Sequence, residues 1–289
     1  MEAQRALLAA LAAPTLRPVR RALEAALPLA CASELFLSAA GLDDSLAPLV
    51  AGLLPLCPAA RWLHLSYNNI EAPGAELIAQ ALPMMHSLDA ISLAGNNIGH
   101  AAVSIVKNLP RYVTQIDFRE CGIVAEDLPE MFEVLANSKE IISIDLSGNA
   151  IGNKGFEIIA GYIPRFPKLL YLHCANCGGS KTVLKTFVDK LAGIPDLKAL
   201  DISGNDIGSA FPGIVESLCK IRKLNFLGLK DGKISTENFT FLFNKLGFLR
   251  SIKRILISGN RINPRSLETL DTSGLFITNE NEDLCPDGE

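Results

Sequence analysis

S-I-D-L-S-G-N-A-I-G-N-K-G-F-E-I-I-A-G-Y-I, residues 143–163, carries two periodicities in one stretch. Ile144 and Leu146 alternate with Asp145 and Ser147, the pattern of a short strand with one buried face. Phe156, Ile159 and Ile163 then keep the spacing of an amphipathic helix. Between the two lies Asn149, whose amide can both donate to and accept from backbone groups left bare where a chain turns. The stretch predicts a strand, a turn closed by an asparagine, and a helix.

The pattern apolar-x-apolar-x-x-Asn-x-apolar recurs outward in both directions. Leu63, Leu65, Asn68 and Ile70 make one copy, and Ile91, Leu93, Asn96 and Ile98 another. Leu200, Ile202, Asn205 and Ile207 follow, then Ile255, Ile257, Asn260 and Ile262. Degenerate copies place Ala40, Cys121, Cys177 and Gly232 at the asparagine position. The first apolar position falls at 35, 63, 91, 116, 144, 172, 200, 227 and 255, a step of 25–28 residues. A cysteine offers only a weak S–H donor, and Ala40 and Gly232 offer no side-chain partner, so these rungs are expected to be less well held.

A strand followed by a helix, repeated in parallel, predicts an α/β solenoid of about nine repeats, a horseshoe with its sheet inside and its helices outside. Eight steps of roughly 4.8 Å give an inner wall on the order of 38 Å long. Pro83, Pro110, Pro164 and Pro195 stand where each helix must stop. Residues 1–32, rich in Ala and Arg with helically spaced leucines, are expected to cap the open N-terminal end. The solenoid takes residues 33–270, and residues 271–289 form a C-terminal cap and a tail with five acids and no base beyond residue 278.

Residues 143–163, and K-A-L-D-I-S-G-N-D-I-G at 198–208, resemble the leucine-rich repeat of the ribonuclease-inhibitor type. The period and the Asn-or-Cys position also match that repeat, and the resemblance runs over roughly residues 35–270. It implies a non-catalytic protein-binding scaffold or regulator. The family also holds Ran-type GTPase activators, actin-regulatory proteins such as tropomodulin and CARMIL, and sensor domains of innate immune receptors. A GTPase activator working through rim loops and a ligand-sensing receptor domain are therefore alternatives.

Composition narrows the partners. A formal charge of -4 provides no basic face for nucleic acid and no polybasic membrane patch. No segment reaches the ~18 uninterrupted apolar residues that a membrane helix requires. Seven scattered cysteines, an odd number, suit reduced thiols better than a disulfide framework. The N-terminal apolar run from Ala6 to Ala13 lacks the basic start of a signal peptide, because Glu2 offsets Arg5. The expectation is a cytoplasmic monomer with a protein partner and no cofactor.

Catalytic motifs are missing from the chain: there is no G-x-S-x-G, H-E-x-x-H or P-loop. Gly95, Gly148, Gly204 and Gly259 each precede the asparagine position and read as turn glycines. Cys174 and Cys177 form a C-x-x-C, but they occupy a strand position and an asparagine position and read as structural. His64, His86, His100 and His173 do not cluster, and no metal site is expected. The wall side chains between the buried strand residues are the candidate contacts. Those are Phe36, Trp62, His64, Tyr67, Asp117, Arg119, Asp145, Tyr171, His173, Asp201, Phe226 and Lys230. Trp, Tyr and Arg are the types that anchor interfaces, so Phe36, Trp62 and Tyr67 are expected to form an aromatic patch rimmed by His64 and Ser66.

Overall fold

The computed structural model describes residues 33–194, 196–263 and 276–278. The predicted cap at residues 1–32, Pro195 and the tail beyond residue 278 lie outside them. The chain divides into two compact units, one built on residues up to 150 with 165–168, the other on 151–164 and the residues from 169 onward.

In the first unit, strands β1 (Glu34–Phe36), β2 (Trp62–His64), β3 (Ala90–Ser92), β4 (Gln115–Asp117) and β5 (Ser143–Asp145) run parallel. Helices α1 (Ala47–Leu53), α2 (Ala72–Ala81), α3 (Ala101–Asn108) and α4 (Leu128–Ser138) follow the first four strands. The register carries no slip: Leu35, Leu63, Ile91, Ile116 and Ile144 stand in one row, each buried. A one-residue shift would turn every one of them outward, so burial of the row holds the register.

The second unit repeats the plan with β6 (Tyr171–His173), β7 (Ala199–Asp201), β8 (Phe226–Gly228) and β9 (Arg254–Leu256). Its helices are α5 (Gly152–Tyr162), α6 (Lys181–Leu191), α7 (Phe211–Leu218) and α8 (Thr236–Lys245). A further parallel strand that the spacing does not predict, β10 (Phe276–Thr278), pairs with β9 inside the stretch read as cap and tail. Ile277 follows Ile255 by less than the repeat period, and no asparagine rung marks it.

The expected helix positions face inward: Ala102, Ile105, Val106, Phe156, Ile159, Phe211 and Ile214 are all buried. T-shaped ring pairs, Phe132 with Phe166 and Phe156 with Phe187, fill the layer between helix and sheet. Pro83 and Pro164 stand just past the last residues of α2 and α5, Ala81 and Tyr162, as expected. Both sit within the 3₁₀ turns Leu82–Met84 and Ile163–Arg165 that prolong their helices. Pro110 follows a clean stop, with Leu109 already extended at ψ 140° as a residue before proline must be.

Candidate binding wall and its rungs

Each asparagine rung is a set of side-chain hydrogen bonds to the backbone of its own and the preceding repeat. Asn149 accepts at Oδ1 from the N–H groups of Cys121 (3.0 Å) and Ile123 (2.9 Å) in the preceding repeat. Its Nδ2 donates to the carbonyls of Phe118 (2.7 Å) and Leu146 (2.8 Å). Asn68 and Asn205 repeat this pattern. Asn96 and Asn260 do so with one accepted N–H each. The expected ladder of buried amides is present.

Three of the degenerate rungs, at Cys121, Cys177 and Gly232, recover part of these bonds from other atoms. Cys121 keeps the donor half of the amide, its Sγ pointing to the carbonyls of Leu93 (3.3 Å) and Arg119 (3.4 Å). The missing acceptor is replaced by backbone. Ile98 donates to the carbonyl of Asn96 (2.9 Å), and Gly99 donates to the carbonyl of Cys121 (2.9 Å). Gly152 bonds the carbonyl of Cys177 in the same way (2.9 Å), and Gly208 that of Gly232 (3.0 Å). The three donors have φ of +49°, +57° and +41°, the left-handed region that costs other residues about 1–2 kcal/mol. N-x-I-G therefore marks the repeats whose next rung lacks an asparagine.

The residue just before each rung is also left-handed in all nine copies. Gly95, Gly148, Gly204 and Gly259 hold four of these corners, as expected of turn glycines, and Tyr67, Glu120, Asn176 and Asp231 hold four others. The two kinds alternate because the side chain of one lies over the glycine of the next. A Cβ on Gly95 would come within 2.7 Å of Tyr67 Cδ1, and one on Gly148 within 2.5 Å of Glu120 Cγ.

Above the buried row, the outward side chains of β1–β5 form the wall. Phe36 stacks on His64 at 4.5 Å between centroids and 10°, and Trp62 stacks on the same ring at 5.3 Å and 11°. His64 is thus the centre of the aromatic group, not its rim. Phe36 is 62% exposed, whereas Trp62 is half-buried. Tyr67 is exposed at its corner over Gly95 and makes no ring contact with that stack among the described residues. Glu34, in register with Trp62, brings a carboxylate oxygen 3.5 Å from His64 Nε2. That approach lacks hydrogen-bond geometry, since Nε2 is buried with no hydrogen-bond partner. Glu34 was legible as a wall residue by carrying the alternation one position upstream of Leu35.

Beyond the rings the wall is polar and connected. Ser66 and Ser92 share a hydrogen bond of 2.5 Å, and Ser92 donates to Asp117 Oδ2 at 2.7 Å. Arg119 grips Asp117 through Nε and Nη2 at 3.0 Å each and reaches Asp145 at 3.5 Å. These bonds cross β2 to β5 and fix side chains that would otherwise lose rotamer freedom on binding.

In the second unit His173 and Phe226 meet at 6.4 Å, and Tyr171 stands half-buried one residue before β6's buried Leu172. Asp201 Oδ1 accepts from Ser203 N at 2.9 Å, and its carboxylate lies over Gly228 where a Cβ would sit. Lys230 N donates to Ser203 Oγ at 3.0 Å. Cys174 and Cys177 are buried and form no disulfide, and burial pushes the Cys121 thiol up to about 12. His100 Nδ1 meets the buried Asp127 at 2.7 Å, tying the starts of α3 and α4. Among the described residues no group of His, Cys, Asp or Glu has the geometry to hold a metal ion, and no helix is long and apolar enough to cross a membrane.

A leucine-rich-repeat family model matches residues 62–79, 141–160 and 194–210. A ribonuclease inhibitor of Sus scrofa is 25% identical over 191 residues, covering 64% of this chain and 41% of that protein. One from Mus musculus is 24% identical over 236 residues, covering 79% and 52%. NACHT, LRR and PYD domains-containing protein 3 of Bos taurus is 26% identical over 204 residues, covering 69% and 20%. A solved leucine-rich-repeat protein of Leptospira interrogans aligns over 80% of this chain and 62% of that one, with 14% identity and a TM-score of 0.48. The chain spans about half or less of the curated relatives it matches. It is a leucine-rich-repeat protein. Its repeats, strand and helix closed by Asn or Cys, are of the ribonuclease-inhibitor type.

Proposed function

We propose that this protein is a non-catalytic scaffold that binds another protein on the outward face of its strands. The observation that carries this reading is the wall of the first unit, where an exposed Phe36 and the stacked His64 and Trp62 adjoin a hydrogen-bonded polar track. An exposed aromatic group beside fixed polar side chains is the composition of an interface core with its rim. The likeness to ribonuclease inhibitors supports the class of activity, since their name describes the restraint of another protein. Asp117, Arg119 and Asp145 serve as the polar contacts, and Tyr171, His173, Asp201, Phe226 and Lys230 offer a second set on β6–β8 and the turn after it. Tyr67 contributes from the corner. None of the five described cysteines forms a disulfide, which supports a reducing, cytoplasmic setting.

The test uses Trp62, the one tryptophan of the chain, as its own reporter. A partner isolated on the immobilised protein should shield Trp62 from a fluorescence quencher. Phe36→Ala with Trp62→Ala should weaken that complex at least about tenfold, as loss of an aromatic anchor does, while the helix-face change Glu157→Ala leaves it intact. The opposite pattern, wall variants within about twofold and helix-face variants inactive, overturns the wall as the site. Stimulated GTP hydrolysis by any of a panel of small GTPases would instead establish the activator alternative.

A further inference from the structure

The loops that lead into the strands show how this chain neutralises its own cations. Arg61 meets Asp89 at 2.7 Å, Lys168 meets Glu140 at 2.5 Å, and Lys223 meets Asp196 at 2.5 Å. In each pair the carboxylate comes from the equivalent loop one repeat earlier or later. A carboxylate is the ligand these positions take.

The loops before β8 and β9 carry more cations than this pairing neutralises: Lys223 has Asp196, but its neighbours outnumber the acids. Residues 219–225 hold Lys220, Arg222 and Lys223, and residues 245–253 hold Lys245, Arg250 and Lys253, with no acid in either stretch. The two loops lie side by side. Lys253 N–H donates to the Asn225 carbonyl at 2.8 Å, and the Ser251 hydroxyl donates to the Arg222 carbonyl at 2.8 Å. Arg222 and Arg250 occupy equivalent positions in adjacent repeats, and both are exposed, as is Lys253. Among the described residues none of these three has a carboxylate at ion-pair distance. Asp189, which feels Lys220, is already held by Lys185 at 2.7 Å and by the Ser217 hydroxyl.

One apolar group accompanies the cations. Phe248 ends the 3₁₀ turn Leu246–Phe248 and is 65% exposed. Lys245 Nζ lies 5.5 Å from its ring centroid and 5.7 Å from that of Phe241. The exposed apolar surface is therefore about one ring wide, room for a single side chain but little to insert into a bilayer. Firm attachment to a membrane takes a second anchoring signal besides a few basic residues.

We propose that this rim docks an acidic segment of a partner protein. Its Asp and Glu side chains would pair with Arg222, Arg250 and Lys253, and an apolar residue between them would lie on Phe248. The charges supply what the sequence withholds from these two repeats, and the site is independent of the aromatic wall. A fluorescent peptide of alternating Glu and Leu is the probe, with anisotropy as the readout on the full chain. The peptide should bind, weaken as ionic strength rises, and lose at least about tenfold in affinity to the variant R222E/R250E/K253E. The milder R222Q/R250Q should fall between, and Lys181→Glu, at the start of α6, should bind as the parent does. Circular dichroism melts establish that the variants fold. Equal binding by the charge-reversed variant overturns the proposal. Binding that appears only after residues 279–289 are removed overturns it in favour of the chain's own acidic tail as occupant. Capture by phosphatidylserine vesicles without peptide binding overturns it in favour of a lipid surface.

Discussion

The rungs closed by Asn149 and by Cys121 stand one repeat apart in the first unit and tie neighbouring repeats together with different atoms. Asn149 does so alone, with two accepted and two donated hydrogen bonds. Cys121 supplies only the donor half, and the acceptor becomes its own carbonyl, reached by the N–H of Gly99. The difference teaches that loss of an asparagine is offset in the neighbouring repeat rather than at its own position. A side-chain acceptor can bond a repeat in ordinary helical or extended conformation, whereas a backbone acceptor requires the donor residue to turn left-handed. The glycine follows from that requirement.

The largest expected effect breaks the Asn149 side of this comparison. Asn149→Ala leaves two buried N–H groups and two carbonyls without their partner and should cost about 3 kcal/mol in a urea melt. Ser147→Ala, on the wall, should shift the same melt by no more than about 0.5 kcal/mol. Equal shifts for the two would mean that the rung is not what closes the repeat.

The corner row gives the next effect. Gly204→Ala must take φ +66° and place its Cβ on the Asn176 side chain, and should cost about 2 kcal/mol. Asn176→Gly in the same chain removes the collision but not the strain. A double-mutant cycle by chemical denaturation should recover roughly half of the loss; strict additivity would show that the side chain over the glycine is immaterial.

The Cys121 side can be read by pH. Burial raises its thiol from 9.0 to about 12 in the folded chain. The folded state therefore holds a proton that the unfolded state releases above about pH 9. The associated stability is fully present below pH 9 and falls by up to about 1.4 kcal/mol per pH unit as pH rises toward 12. Denaturant midpoints measured across that window should show an alkaline loss that Cys121→Ala reduces; an unchanged slope in that variant would place the thiol's proton elsewhere. Below pH 9 the native thiol should also resist modification.

The smallest effects have opposite signs and set the two kinds of glycine apart. Gly99→Ala should destabilise by about 1 kcal/mol, since its φ of +49° is needed to bond Cys121 although nothing crowds its Cβ. Gly161→Ala, exposed within α5 and equally uncrowded, should stabilise by about 0.5–1 kcal/mol. Thermal melts of both variants would sharpen the distinction, and a shared sign would remove it.

Much of the candidate wall was visible beforehand because alternation is a local property. Phe36, Trp62, His64, Asp117 and Asp145 were placed on the wall by their neighbours Leu35, Leu63, Ile116 and Ile144 alone. Their mutual arrangement was not visible. That Phe36 stacks on His64 and that Ser66 reaches Asp117 through Ser92 depend on contacts between residues 25–28 apart.

The repeat, its parallel strand-and-helix unit, the buried row and the asparagine rungs were determined by the order of residues, because hydrophobic period and turn chemistry act within a dozen positions. Only the tertiary structure decided how the rungs without asparagine are closed, where β10 pairs, and which cations before β8 and β9 have no carboxylate at hand among the described residues. Each of these depends on which atoms of the neighbouring repeat come within hydrogen-bonding or ion-pairing distance. A period in one chain carries no record of the neighbour's backbone angles.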